Sequence, residues 1–485
     1  MVEERKRHCW ECLRRSLVCD FTQPQCNRCS SSGKLCPGYG EKKPVMLNWL
    51  EPGRVKSRTR RKKSVVKQGS KRPEPEIPWS CLRVNADAVM DAIGYYNEVI
   101  YPILASGVIA NHPGIYKLQP VHIRAGIARP DFLTLDIVCV ALNHRIHSSS
   151  NSSYAQALIP TYYHYRGQVL RSLNEGIRDE KFQKENLPVL VAGILALLLA
   201  DARHGASTHW RFHLDGIQQL ITLKGGFRAM AAPGVEPLLL CYAFVTVLGD
   251  TTSPASDLTM TPSLMAELDT ALEDYGNSLY SFYPFPTPLF AAVVRVNHLR
   301  SQASTRALLH KNPKDLTSEA EQILATITSF DPESWSDSHP DSNKSITLAA
   351  HIVQAAVTVY TISSLQSVSV LPSSAMLNTI YTTTRYLLYT LLRQGLSTPG
   401  LSTSIIWPLV VLGVSAVSAS AEIREFVRES LEPISRDHGT YVPLLARNML
   451  DRFWKSGETD WDKCWGSDRP VAMAMQWTVN RGDLR

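Results

Sequence analysis

Six of the ten cysteines lie between Cys9 and Cys36, and they repeat one spacing. Cys9, Cys12 and Cys19 are followed seventeen positions later by Cys26, Cys29 and Cys36, so C-x2-C-x6-C occurs twice. A stretch this short has too few apolar side chains to fold by hydrophobic burial alone. Something has to cross-link it, and the candidates are disulfides or metal.

The N-terminal run favours metal. Glu3, Glu4, Arg5, Lys6, Arg7 and His8 stand where a secretory signal needs an apolar stretch, which predicts an intracellular chain with reduced thiols. Thioredoxin-type redox chemistry wants its C-x-x-C on a βαβ scaffold, and the surrounding pattern offers none. Zinc takes four ligands, so six thiolates cannot complete two separate sites. They can complete two sites if one sulfur from each repeat bridges. The pseudo-symmetry of the repeat selects Cys9 and Cys26, with Cys12 and Cys19 completing one zinc and Cys29 and Cys36 the other. The expected cofactor is two zinc ions per chain. Each C-x2-C turn leads into a predicted short helix, over 10–17 and 27–32, with Pro24 in the joining loop and Gly33 as a stop. Structural zinc contributes about 10 kcal/mol or more, which makes it the main source of folding free energy here.

Charge separates this head from the rest. Positions 1–72 hold 19 Lys/Arg against 6 Asp/Glu, while the remainder holds 32 against 38. A basic head on an acidic body is the asymmetry expected when the head alone meets a polyanion. From Pro37 to about Pro78 the chain is rich in Lys, Arg, Pro and Gly and reads as a linker. Within it Arg58, Arg60, Arg61, Lys62 and Lys63 fit a nuclear localisation signal or extra phosphate contacts.

Beyond the linker the apolar spacing is helical. Val84, Val89, Ile93, Tyr96, Ile100 and Leu104 share one helix face, but Gly94 and Pro102 interrupt a pattern too short for a zipper. Helices are predicted over 131–146, 155–173, 187–201, 210–223, 237–248, 263–272, 289–310, 318–327, 346–365, 375–393, 405–421 and 421–431. Loops are predicted over 147–153, 251–262 and 330–343. The apolar runs 187–200 and 405–421 read as buried helices rather than membrane spans. The scattered Cys81, Cys139, Cys241 and Cys464 read as small core residues. The fold class is mainly α, in three parts: a two-zinc module over 1–40, a basic linker over 41–80 and an all-helical domain over 81–485.

With Arg14 and Arg15 inside the first repeat, Asp20 after its third cysteine and Pro24 in the loop, Cys9 to Cys36 resembles the fungal zinc binuclear-cluster transcription factors. That resemblance implies a first short helix that enters the major groove and reads a CGG triplet from the tract between the second and third cysteines. Guanine O6 and N7 accept from Arg or Lys there. In this chain Arg14 and Arg15 are present, but Ser16 and Val18 stand where the family usually has lysines. The expectation is DNA binding with altered or weakened CGG preference, with Arg14, Arg15 and Ser16 at the bases or phosphates and Arg28 and Lys34 at phosphates. Trp210, Arg211, His213, Leu214, Gly216 and Gly225-Gly226 resemble a helix of the fungal-specific regulatory domain. By that resemblance an all-α regulatory region spans most of the chain after Tyr95.

Catalytic signatures are missing: no G-x-S-x-G elbow, phosphate loop or dinucleotide fingerprint occurs. His209 and His213 have metal-ligand spacing, yet without the zincin glutamate helix packing is the better reading. Gly225-Gly226 reads as a helix C-cap, Trp407 as core, and the aromatics from Tyr280 to Phe285 as a packed loop rather than a pocket. The expected function is zinc-dependent, sequence-specific regulation of RNA polymerase II genes in the nucleus, without enzymatic activity. Double-stranded DNA is the expected partner of the head, and co-regulators or a small effector that of the body; no membrane is involved. Zinc storage without DNA binding stays open at the cysteines. For the whole chain the alternative is a helical protein-interaction regulator whose zinc module binds DNA with little specificity. Oligomeric state stays open as well.

Overall fold

The computed structural model describes residues 8–15, 17–39, 86–105, 117–119, 131–205, 210–230, 235–282, 284–305, 313–339, 343–402 and 404–465. The chain divides into two units, Met1–Glu74 and Pro75–Arg485. Among the described residues both are helical and contain no strand.

In the small unit α1 spans Trp10–Arg14 and α2 spans Asn27–Ser31. Both are shorter than their sequence pattern suggested. Gly33 ends the second as expected: its φ of +62° is a left-handed conformation that glycine adopts freely, and Lys34 N–H then reaches back to Cys29 O at 3.0 Å.

The large unit begins with α3 (Ala86–Tyr95), a π-helical turn (Tyr96–Ile100) and α4 (Tyr101–Ala105). Val89, Ile93, Tyr96 and Ile100 are its buried face, so the predicted stripe is real, and it runs through Gly94 and Pro102. Next come α5 (Asp131–Ser148), α6 (Ser152–Arg178), α7 (Glu180–Glu185), α8 (Leu187–His204), α9 (Trp210–Lys224), α10 (Phe227–Met230) and α11 (Glu236–Thr251). The second half holds α12 (Pro262–Phe282), α13 (Thr287–Thr305), α14 (Pro313–Ser329), α15 (Pro332–Asp337), α16 (Lys344–Ser367) and α17 (Ala375–Leu396). It ends with α18 (Ile406–Ser415), α19 (Ala421–Asp437), α20 (Val442–Ser456) and α21 (Trp461–Cys464).

Helices apolar on every side are buried on every side. That explains α8 and α18: every residue from Ile406 to Ser415 is buried, and Trp407 donates its indole N–H to Thr251 Oγ1 at 2.8 Å. By length and composition α8 and α16 would also suit a membrane, but most of each apolar window is covered by neighbouring helices of the same fold. Cys139 and Cys464 are buried as expected, Cys241 is half-buried, and Cys81 lies outside the described residues.

Three differences from the sequence reading have local causes. The expected loop over 330–343 contains α15, started by Asp331, whose carboxylate accepts from the N–H groups of Glu333 and Ser334. Helix α19 continues past Pro433, because the proline ring lies on the exposed side while Ile434 and Ser435 behind it are buried. Helix α20, absent from the sequence reading, carries Pro443 in its first turn and Gly457 just past its end with φ +76°. Its buried face is Val442, Ala446, Met449, Leu450 and Phe453.

The core also holds a charge. Arg300 is fully buried; its guanidinium donates to Asp250 O (3.0 Å), Tyr360 OH (3.0 Å), Ser253 O (2.6 Å) and Asp462 Oδ1 (2.8 Å). Asp462 Oδ2 in turn accepts from Ala255 N–H at 2.7 Å. One side chain of α13 thereby ties the end of α11, α16 and the terminal α21.

Removing one partner of a buried pair costs about 3–5 kcal/mol. Arg300→Met is therefore expected to lower the urea midpoint of the helical unfolding transition by a corresponding amount, read by far-UV circular dichroism of the full chain. An unchanged midpoint would mean that the network contributes nothing net. A pH effect follows from the histidines. Burial holds His144 and His147 near pKa 3 and His438 near 4, against an ordinary value of 6.5. Between these values the unfolded chain binds more protons than the folded one, so stability falls as pH drops from 6.5 towards 4. Melting temperatures measured across that window check it; a flat profile would contradict neutral buried histidines.

Candidate metal centre and nucleic-acid interface

The six sulfurs of the repeat converge. All six cysteines are buried, and with the flanking Phe21 and Tyr39 they form the core among the described residues of the small unit. Two sets of four sulfurs each fall within 4.8 Å of one another: Cys9, Cys12, Cys19, Cys26, and Cys9, Cys26, Cys29, Cys36. The two sets share Cys9 and Cys26, the pair that the pseudo-symmetry selected. Their sulfurs lie 3.6 Å apart, with Cys9–Cys29 at 3.8 Å and Cys12–Cys26 at 3.7 Å. Sulfurs around a tetrahedral zinc, each about 2.3 Å from the ion, stand about 3.8 Å apart. The donor set fits zinc in type, number and spacing.

Local structure explains the convergence, and it is the same in each half. Cys9 is the N-cap of α1 and accepts Cys12 N–H at 3.3 Å; Cys26 is the N-cap of α2 and accepts Cys29 N–H at 3.3 Å. A thiol as cap leaves its sulfur at the helix start, beside the next cysteine one turn on. Cys26 N–H donates to Cys36 Sγ at 3.4 Å. Burial pushes the Cys9, Cys12 and Cys29 thiols above their ordinary value, Cys29 to about 12. Burial acts on Cys19 and Cys36 too, but hydrogen bonds, chiefly from backbone N–H groups, outweigh it there and hold Cys19 at about 6 and Cys36 below its ordinary value.

Several supporting contacts escaped the sequence reading. His8 Nδ1 accepts Cys19 N–H at 3.0 Å, and Tyr39 OH lies 3.3 Å from Cys19 Sγ while donating to Thr22 O at 3.0 Å. Trp10 N–H donates to Gly38 O at 3.3 Å and closes the module's two ends on each other. Asp20 Oδ2 accepts from Asn27 N–H at 3.0 Å, at the start of α2. No residue pattern marks His8 or Tyr39, because their partners are set only once the cluster closes.

Of the expected DNA-contacting residues, Arg14 lies in the last turn of α1 and Arg15 follows it, exposed, donating to Ser32 Oγ at 3.3 Å. Arg28 is exposed and donates to Val18 O at 3.0 Å, so it also joins the two halves. Lys34 is exposed, as is Val18. Ser16 and the basic run Arg58, Arg60, Arg61, Lys62 and Lys63 lie outside the described residues.

In the large unit, the residues that resembled a regulatory helix have packing roles. Trp210 is buried against Gly249, where an added Cβ would stand 2.4 Å from the indole ring. His213 sits 3.9 Å from the buried Asp201, which already pairs with Arg166; His209 lies outside the described residues. Gly225 and Gly226 close α9 with φ of +101° and +95°, and Gly226 N–H returns to Ile221 O at 3.0 Å. Phe285 is buried against Phe244, Phe290 and Trp407, so the described part of the aromatic stretch is packed.

Residues 95–480 match the family model of the fungal specific transcription factor domain. The chain is 37% identical over 490 residues to the phomenoic acid biosynthesis cluster-specific transcriptional regulator of Leptosphaeria maculans, which covers 98% of this chain and 91% of that protein. No solved structure matches the chain. A cysteine cluster suited to metal joined to that domain is the organisation of a transcriptional regulator, and the chain belongs to the family of fungal-specific transcription factors.

Proposed function

We propose that this regulator binds DNA in a zinc-dependent, sequence-specific manner and controls RNA polymerase II genes in the nucleus. The observation that carries the reading is the pair of four-sulfur sets sharing Cys9 and Cys26. Cys12 and Cys19 would hold one zinc and Cys29 and Cys36 the other, with Cys9 and Cys26 bridging. When bound, the ions supply a cross-link between the two halves and most of the folding free energy of a module without an apolar core. Two zincs and six thiolates sum to about −2, so the bases around the cluster offset that charge before they meet DNA.

The remaining roles follow from position. Helix α1 enters the major groove; Arg14 and Arg15 at its end contact bases or phosphates, joined by Ser16, while Arg28 and Lys34 contact phosphates from the second half. Domains divide as a reading module over 1–40, a linker over 41–80 whose Arg58 to Lys63 run adds phosphate affinity and nuclear import, and a regulatory body over 81–485. The relative's cluster-specific role supports a defined gene set as the target. Ser16 and Val18, in place of basic residues, argue for a half-site related to CGG but read less strictly. If the head has lost triplet reading altogether, the chain is a protein-interaction regulator that uses DNA as a non-specific support.

Two experiments test this. Metal analysis of the full chain is expected to give two zincs. Cys9→Ala or Cys26→Ala is expected to lose both and Cys12→Ala to perturb chiefly one; two zincs retained in Cys9→Ala would overturn the bridging assignment. Fluorescence anisotropy of the zinc-loaded full chain is expected to favour a CGG duplex over one with the triplet scrambled. Chelation should abolish this preference, and log affinity should fall about 0.9 per log unit of salt for each phosphate neutralised. Equal, salt-sensitive binding to both duplexes selects the interaction-regulator reading instead.

A further inference from the structure

Granted the zinc assignment proposed above, we infer that Tyr39 is a positioning residue for the first metal site and makes the two sites of the repeat unequal, so that the metal held by Cys29 and Cys36 is the first to leave. Tyr39 follows the last cysteine by three positions, and its ring packs, partly buried, against the sulfur cluster. Its hydroxyl donates to Thr22 O at 3.0 Å and stands 3.3 Å from Cys19 Sγ. Trp10 N–H donates to Gly38 O at 3.3 Å and pins the chain just before it.

A hydroxyl has one proton, and this one has two acceptors in reach. Metal binding decides between them. A zinc-bound cysteine is a thiolate, with lone pairs and no proton. Across the 3.3 Å the Tyr39 O–H is then the only possible donor, and an ionised acceptor takes a hydrogen bond more strongly than a neutral carbonyl. Such a bond draws charge from the sulfur, in a cluster whose formal sum is already about −2. It stabilises the thiolate on its metal and makes the sulfur a poorer nucleophile.

The repeat lets the two sites be compared directly. Cys36 is the counterpart of Cys19, seventeen positions on. It accepts from Cys26 N–H at 3.4 Å, and among the described residues no side-chain hydroxyl reaches it. Its exposure is 7% against 2% for Cys19. Around Cys19 the covering is aromatic. Phe21 packs on the cluster, and the His8 ring lies 5.1 Å from it while His8 Nδ1 accepts Cys19 N–H at 3.0 Å. Phe21 takes a φ of +58°, in the left-handed region that a bulky side chain rarely adopts; such a conformation persists where packing over-determines it. The half that carries Arg28 and Lys34 is therefore the one that loses its metal first.

The test is timed zinc removal from the two-zinc full chain with a chelator. N-Ethylmaleimide traps the thiols as they are freed, and peptide mass spectrometry locates the adducts. Cys29 and Cys36 are expected to be labelled before Cys12 and Cys19. Tyr39→Phe keeps the ring and removes the hydroxyl. It is expected to bind two zincs still and to label Cys12 and Cys19 about tenfold or more faster, with Cys29 and Cys36 little changed. Loss of the first zinc alone from this variant would give the same answer. Equal labelling of the two halves in the natural chain would overturn the inference, as would an unchanged order and rate in Tyr39→Phe. Equal acceleration of both halves, or loss of both zincs from the variant, would make Tyr39 a general packing residue and overturn it as well. Zinc content of the natural chain is measured first. Fewer than two ions would defeat the zinc assignment, whereas two ions that leave together defeat only the inequality.

Discussion

A charge that cannot leave the core has to be answered inside it, and Arg300 shows what that demands. Its four acceptors come from Asp250, Ser253, Tyr360 and Asp462, positions spread over more than two hundred residues of sequence. Two of them are backbone carbonyls in the last turn of α11 and just past it, where orphan acceptors need partners anyway. Trp461 adds its indole N–H to Thr251 O at 2.9 Å, and Trp407 bonds the Thr251 hydroxyl. The buried end of α11 thus becomes the anchor for α13, α16, α18 and α21. Apolar packing brings these helices together without direction; the buried guanidinium fixes one arrangement among those packing would allow.

The small unit meets the same requirement by other means. Among its described residues the core is sulfur with two partly buried aromatic side chains packed against it. Burial raises the pKa of Cys9, Cys12 and Cys29, while hydrogen bonds outweigh it at Cys19 and Cys36 and lower them. A cation is the natural complement of such a cluster, as the four acceptors are of Arg300.

This difference in scale governs what the amino-acid sequence discloses. The cysteine cluster closes over 28 positions with an internal repeat, so symmetry alone reaches Cys9 and Cys26 as the shared pair. Helix periodicity is equally local, which is why the stripe from Val89 to Ile100 is legible, and Gly225-Gly226 as a cap. The failures are informative. Helix α20 carries Pro443 at its start, Gly457 past its end and a clean apolar spacing, and all three signals are in the sequence. The helix start at Asp331 was hidden in a polar stretch that also reads as loop. Arg300 could not have been found: an arginine in an otherwise mixed helix looks like a surface residue until its partners, 47 to 162 positions away, are in place. The π turn at Tyr96–Ile100 has no sequence mark either.

Arg203 belongs to the same class of buried cation and differs from Arg300 in one respect. Its neighbours supply one carbonyl and no carboxylate. The residues around it come from four distant parts of the chain: Ile100 to Leu104, His144, Arg203 itself, and His438 to Thr440. These segments are already fitted closely. Gly205 meets the Tyr441 ring, Gly439 meets the His144 ring, and Tyr441 N–H donates to Arg203 O at 2.7 Å. Arg203 therefore ties the end of α8 to the α19–α20 junction in both directions, its guanidinium donating to His438 O and its carbonyl accepting from Tyr441 N–H.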